Sequence, residues 1–362
     1  DETGVKATAS MVQDTTEIMQ MTAKYPGVTG NKIVVAVATA DAGGSYNVVT
    51  TVDGVKVDKQ NVKKSTELES TPWVDFVTVS NTNVQMVVGM YVLSGGVNGT
   101  VSATSYTNAL AAFDKYMYNI VTFIDSPSLT TQEVIDKVVQ LREQSGRYVK
   151  AVLQDVETAN NEAVTSTISD QGIERTTNDI SGTNKIYLPL YVAGLSSVQG
   201  PADSLTYFEV PMATGLEGEL TAEEITAALL AGKFVFSRRT DGCVVVEDDR
   251  NTLVSVPQGS NKSLDWASNR VMRSLDEIIT RVASAYEKSF IGKVTNDATG
   301  AALFASVVYD IFKEFESMGA IAPVDKANDI IIIPEDKNSM IASLAITVND
   351  ATEKLYVTVM VG

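Results

Sequence analysis

The sequence predicts a multidomain protein of mixed α+β and α/β class. Three observations carry that expectation: β-branched runs crowd the first hundred residues, helical and strand periods alternate through the middle, and two long amphipathic helices precede strand runs at the end. At 362 residues the chain exceeds one ordinary core. It divides into a small β-rich domain at 1–98, an α/β middle domain at 99–236 and a C-terminal α/β domain at 237–362 with two long helices and a terminal strand.

In the first part, Ile-Val-Val-Ala-Val-Ala at 33–38 and Tyr-Asn-Val-Val-Thr-Thr-Val at 46–52 read as strands. Asp53-Gly54 then turns the chain into Val-Lys-Val-Asp at 55–58. That dipeptide favours a type I′ hairpin, because both turn residues must accept positive φ. Runs at 73–79 and 84–88 continue the pattern. Ser-Gly-Gly-Val-Asn-Gly-Thr at 94–100 has three glycines in seven residues and marks the boundary. It lacks the Lys-Ser/Thr that a phosphate-binding P-loop needs.

Helical spacing of Ala109, Ala112, Phe113 and Tyr116 predicts a helix over 105–117, followed by a buried strand at 120–124. Thr130-Thr-Gln-Glu133 has the form of a capping box ahead of Val134, Ile135, Val138 and Leu141, Gly146 stops that helix, and 148–153 returns as a strand. The same grammar recurs at Thr221-Ala-Glu-Glu224, with a helix to Ala231, Gly232 as its stop and a strand at 234–236. Farther on, Val271, Met272, Leu275, Ile278, Ile279, Val282 and Tyr286 form one stripe over 270–288. Leu303, Val307, Val308, Ile311, Phe312 and Phe315 form another over 301–318, with Gly319 after it. A central strand at 329–333 and strands at 343–348 and 354–361 complete the chain.

Composition excludes several functions. The chain contains no histidine, so histidine-based triads and His-ligated zinc cannot be built from it alone. One cysteine, Cys243, in the apolar run 243–246, reads as an inert thiol rather than a redox centre. The 45 acidic against 28 basic residues give a net charge of −17, which disfavours nucleic acid and anionic lipid as partners. Mean hydropathy is +0.04 and no apolar run reaches the roughly 20 residues of a membrane span. No catalytic, cofactor or metal site is expected. Asp170, Glu174 and Asp179 lack EF-hand spacing, Glu247, Asp248 and Asp249 read as a charged turn, and Gly194-Leu-Ser-Ser-Val198 falls short of a nucleophile elbow.

The helix Asn-Arg-Val-Met-Arg-Ser-Leu-Asp-Glu-Ile-Ile-Thr-Arg at 269–281, continuing to 288, resembles the C-terminal helix of contractile-tail sheath proteins. Further phrases in the same order are similar to sheath proteins of Gram-positive prophages and R-type, diffocin-like bacteriocins: Ala-Lys-Tyr-Pro-Gly-Val-Thr-Gly-Asn at 23–31, Gly-Gly-Val-Asn-Gly-Thr at 95–100, Phe-Val-Phe at 234–236 with 244–253, Phe-Ile-Gly-Lys-Val at 290–294, Met-Gly-Ala-Ile at 318–321 and the closing 350–359. In that family a longer stretch precedes the Lys-Tyr-Pro-Gly segment, so the resemblance implies an N-terminal arm ahead of Asp1.

What the resemblance implies is a non-enzymatic subunit that polymerises around a tail tube and contracts to drive it through a cell envelope. Its partners would be other sheath subunits, the tail tube protein, the baseplate and the tail terminator. It would be made in the bacterial cytoplasm and reside in a virion tail or bacteriocin particle. It also implies that terminal arms add strands to neighbouring subunits. Leu355, Tyr356, Val357, Thr358, Val359, Met360 and Val361 alternate in a way that suits such an intersubunit strand. Arg270, Arg273 and Arg281 form a basic row in an acidic chain and are expected to face the tube. A secreted bacterial surface or adhesion module, and a carboxylate-based hydrolase, are the rival readings.

Overall fold

The computed structural model describes residues 4–40, 44–79, 85–123, 128–157, 159–175, 185–256, 258–260 and 262–352. By contact the chain forms two compact units, Asp1–Ala109 and Leu110–Gly362.

In the first unit, strands β1 (Thr8–Gln13), β2 (Thr16–Ala23), β3 (Ile33–Thr39), β4 (Tyr46–Val52), β5 (Val55–Val62), β6 (Val74–Thr78) and β7 (Gly89–Val92) make two antiparallel sheets, ordered β1-β2-β6 and β5-β4-β3-β7. Asp53 and Gly54 have φ of 51° and 80°, the left-handed pair that a type I′ turn requires, and they join β4 to β5. Side chains at alternate positions of both sheets share one core: Met11, Met19 and Met21 meet Ile33, Val35, Val37 and Val48. The strand expected at 84–88 is displaced. Val84 lies outside the described residues, 85–88 are not in a strand, and pairing with β3 starts only at Gly89.

Helix α1 (Ala103–Phe113) leads into the second unit. There β8 (Ile120–Thr122), β9 (Lys150–Gln154) and β10 (Val164–Thr167) pair in parallel, and β14 (Lys233–Phe234) adds beside β10. Strand alternation then builds two cores. Ala151 and Leu153 of β9 meet Val134, Val138 and Leu141 of α2 (Ser128–Ser145) on one face. Val152 meets Val192 of α3 (Leu188–Val198) with Phe234 on the other. The result is a sheet covered on both faces, as parallel pairing requires. Between these elements β11 (Gly172–Arg175) pairs antiparallel with β12 (Lys185–Ile186) and β13 (Ala213–Glu217).

Two capping expectations part ways. Helix α2 begins at Ser128, so Thr130 lies inside its first turn rather than at its cap. Helix α4 (Ala222–Leu230) has the full capping box: Thr221 Oγ1 accepts from Glu224 N at 3.3 Å, and Thr221 N donates to Glu224 Oε2 at 2.8 Å.

The boundary expected at 236 is not a break in packing. Strands β15 (Phe236–Arg238) and β16 (Val244–Val246) form a hairpin whose Phe236, Val244 and Val246 belong to the same core as Phe234 and Val152. Beyond it, α5 (Asn269–Ser289) and α6 (Ala298–Ser317) pack through Ile278, Val282, Phe304, Val308, Phe312 and Phe315, and Gly319 at φ 73° ends α6. The short α7 (Lys326–Asp329) precedes β17 (Ile330–Pro334), which pairs with β18 (Met340–Leu344). Among the described residues β17 is one half of a hairpin, not a central strand, and Ile331 and Ile333 are each 51% exposed.

Candidate assembly surface

Helix α5 carries different chemistry on its two sides, and each side has a distinct task. It begins at Ser268, whose Oγ accepts from Val271 N and donates to Asp350 Oδ1 at 3.1 Å.

One side is polar yet buried. Asn269 Nδ2 donates to Asp249 Oδ1 at 3.1 Å and to Thr165 Oγ1 at 3.3 Å. Arg270 donates to the carbonyls of Ala202 and Asn349 at 2.7 and 2.6 Å. Arg273 Nη2 reaches Asp249 Oδ2 at 2.5 Å and Asp203 O at 2.7 Å. One turn on, Asp276 accepts from Nη2 and Nη1 of Arg142 from α2, at 2.7 and 3.1 Å, and lies 3.4 Å from Lys150 Nζ of β9. These bonds tie α5 to the parallel-sheet layer.

The expected basic row is therefore not a surface row. Arg270 is 9% exposed and the Arg273 side chain 10%. Arg270 donates to internal carbonyls, and Arg273 donates through Nη2 to Asp203 O and Asp249. Of the three, Arg281 has a half-exposed side chain; it pairs with Glu277 at 2.8 Å and Glu314 at 3.0 Å and lies over the Phe315 ring. Helical period places charges opposite an apolar stripe, but it cannot tell a solvated polar face from one covered by another layer. Asp249, 1% exposed, is the residue that sequence reading missed. Within an acidic triplet it looked like a charged turn, and nothing local distinguishes it from its neighbours; Asp248 is partly buried, and that burial raises its carboxyl pKa.

Lys150 is the weak point of this network. Burial is the first cause that lowers its ammonium pKa, from 10.5 to about 8, and the pull of Asp276 only partly opposes it. Between pH 8 and 10.5 the unfolded chain binds the proton and the folded chain does not, so stability rises with pH across that window. Lys150→Met removes this dependence. Urea melts at pH 7.5 and 10 should show wild type gaining about 2 kcal/mol relative to the variant; an unchanged gap would mean that Lys150 is not buried as a cation.

The other side of α5 is apolar and open. Val271, Leu275 and Ile279, with Trp266 before the helix, face Ala342 and Leu344 of β18 and Ile346 beyond it across a groove of about 700 Å³. Ile279 is 38% exposed there. Among the described residues β18 pairs only with β17, so its far edge offers backbone groups beside the groove. The alternating residues 355–361 lie outside the described residues, as does Asp179. No group of three or more Asp, Glu or Cys among the described residues is arranged to hold a metal ion.

Residues 99–252 match the family of phage tail sheath protein central domains, and residues 261–362 match that of phage tail sheath C-terminal domains. The chain belongs to the phage tail sheath family. The matched central segment carries the β15–β16 hairpin with it, in keeping with the shared core around Phe234 and Phe236. The sheath tail protein of Desulfitobacterium hafniense superposes with a TM-score of 0.76 at 26% identity, covering 96% of this chain and 82% of its own. The phage-like element PBSX protein XkdK of Bacillus subtilis (strain 168) is 27% identical over 390 residues, 99% of this chain and 80% of that protein. The helical sheath of the anti-feeding prophage in its contracted state shares the fold, with a TM-score of 0.56 at 11% identity over 75% of this chain and 77% of its own. The protein is thus a structural sheath subunit, with a mixed α/β multidomain fold common to sheath proteins.

Proposed function

We propose that this sheath subunit polymerises with copies of itself around a tail tube, that neighbouring copies are linked by strand addition, and that contraction of the lattice drives the tube through a target envelope. The observation that carries the linkage is the groove between α5 and β18, an apolar trough beside a strand edge that is unpaired among the described residues. The segment Leu355, Tyr356, Val357, Thr358, Val359, Met360 and Val361, from a second copy, has the alternation to fill it. Its backbone would extend the sheet while one row of side chains enters the trough. Each added backbone bond contributes about 0.5–1.5 kcal/mol net, so a strand of this length resists separation while its flanks bend.

The polar docking of α5 supports the second half of the proposal. A helix held to the parallel-sheet layer by buried ion pairs makes the two matched domains move together. Strain between lattice states then falls on the links between copies rather than inside each copy. The free energy of contraction resides in those interfaces, with no nucleotide or catalytic residue required. Baseplate, tube and tail terminator are the other partners on this reading, and the particle is a phage tail or a bacteriocin made in the bacterial cytoplasm.

Deleting residues 354–362 should leave the fold intact and abolish tube formation, scored by negative-stain microscopy of the full chain. Tubes of normal diameter from the deletion would contradict the strand link. Of the three arginines only Arg281 retains an exposed charge to offer the tube. Arg281→Glu should lower sheath growth on tubes severalfold at low salt and less at high salt, because exposed pairs are screened over about 8 Å at physiological ionic strength. Growth that is unaffected at low salt would place α5 away from the tube.

A further inference from the structure

Beside the α5 network lies a separate polar cavity of about 300 Å³, lined by Asn119, Tyr148, Lys150, Ser197, Arg273 and Asp276 among others. Two buried donors meet it without an acceptor among the described residues: Lys150 Nζ and Arg273 Nε. Neither makes a hydrogen bond to the carboxylates nearby. Asp276 accepts Nη1 and Nη2 of Arg142, and Lys150 pairs with it at 3.4 Å without a hydrogen bond. Asp249 is taken by Arg273 Nη2, Asn269 and the backbone of Leu205.

The charge balance points the same way. Arg142, Lys150 and Arg273 are three cations facing two buried carboxylates, Asp276 and Asp249. Glu277 stands at the rim, half exposed and committed to Arg281. Ser196 and Ser197, at the carbonyl end of α3, also line the cavity, and that helix end disfavours an anion beside it, which favours Lys150 and Arg273 as its seat. The volume corresponds to roughly ten water molecules, enough for a tetrahedral ion with part of its hydration.

We propose that this cavity binds a small oxyanion, of the sulfate or phosphate kind or a carboxylate, held by Lys150 Nζ and Arg273 Nε. The site is lined by one subunit alone. Its occupancy is tied to the charge on Lys150, which is lost through about pH 8, whereas burial raises the pKa of Tyr148 at the same wall, so that side chain stays neutral there. Asp276, Arg142 and Arg273 are the other charged groups facing Lys150.

The probe is inorganic sulfate, titrated calorimetrically into the whole protein at pH 7 against chloride of equal ionic strength. One saturable site is expected with sulfate and none with chloride. The sulfate affinity should fall about thirtyfold between pH 7 and 9.5, following the loss of charge at Lys150. Lys150→Met should lose the site and Lys150→Arg keep it, each checked for folding by circular dichroism. The wild-type pH profile stands even if neither variant folds. No sulfate binding beyond chloride, a flat pH profile, or equal binding by a folded Lys150→Met would overturn the proposal. Repeating the titration on assembled tubes separates the sources: sulfate binding that persists identifies a free ion, and binding that vanishes identifies a carboxylate supplied by a neighbouring copy.

Discussion

Asp276→Ala is expected to lower the stability of the subunit by about 3–5 kcal/mol, the cost of leaving buried cations without their counter-charge. Asp276 is 7% exposed and is the shared anion of Arg142 on α2 and Lys150 on β9. Without it a guanidinium with a side chain only 10% exposed loses two short bonds at once, and Lys150 loses the charge that opposes its desolvation. Asp276→Asn should be milder but still costly, because the amide presents one acceptor where the carboxylate presents two. Urea denaturation measures both. A loss below about 1 kcal/mol for the alanine variant, the value usual for surface pairs, would show that the network is solvated and that α5 is not locked to the sheet layer.

The second large effect concerns assembly rather than folding. Ile279→Glu places a carboxylate in the apolar groove at a position already 38% exposed, so the isolated subunit should change in stability by no more than about 0.5 kcal/mol. If a neighbour's strand covers the groove, that charge is buried without a partner at every link along the helix. A penalty of even ~3 kcal/mol per link raises the concentration needed for polymerisation at least about a hundredfold. Sedimentation or light scattering across a concentration series would read the shift. Polymerisation at the wild-type concentration would mean that the groove stays open in the lattice.

What the sequence made legible follows from where local chemistry and global packing agree. The Asp53-Gly54 turn, the Thr221 capping box and the two helices α5 and α6 are set by signals within a few residues, and the structure has them. The hairpin of β1 and β2 was not read because its core residues are Met11, Met19 and Met21 spaced by Thr, Gln and Glu, and methionine is no strand former. Helix α3 was hidden by Pro189 and Gly194. Pro189 occupies its first turn, where no amide partner is needed, and α3 is held by packing of Leu188 and Val192 rather than by propensity. The candidate site divides in the same way. The apolar stripe of α5 was visible by period, whereas the inward turn of Arg270 and Arg273 depends on Ala202, Asp203, Asp249 and Asn349, which lie roughly 20 to 80 positions away and leave no mark on the helix itself.

The most direct measurement is a cross-link between copies inside an assembled sheath. Two variants, both with Cys243→Ser, would carry Ile279→Cys in one and Val357→Cys in the other, so that only a contact between different chains can join them. After co-assembly and mild oxidation, the strand link predicts a disulfide-bonded heterodimer in high yield from tubes and little from dilute subunits. Tubes of normal appearance that yield no such heterodimer would contradict the claim that the groove beside α5 receives a neighbour's C-terminal strand.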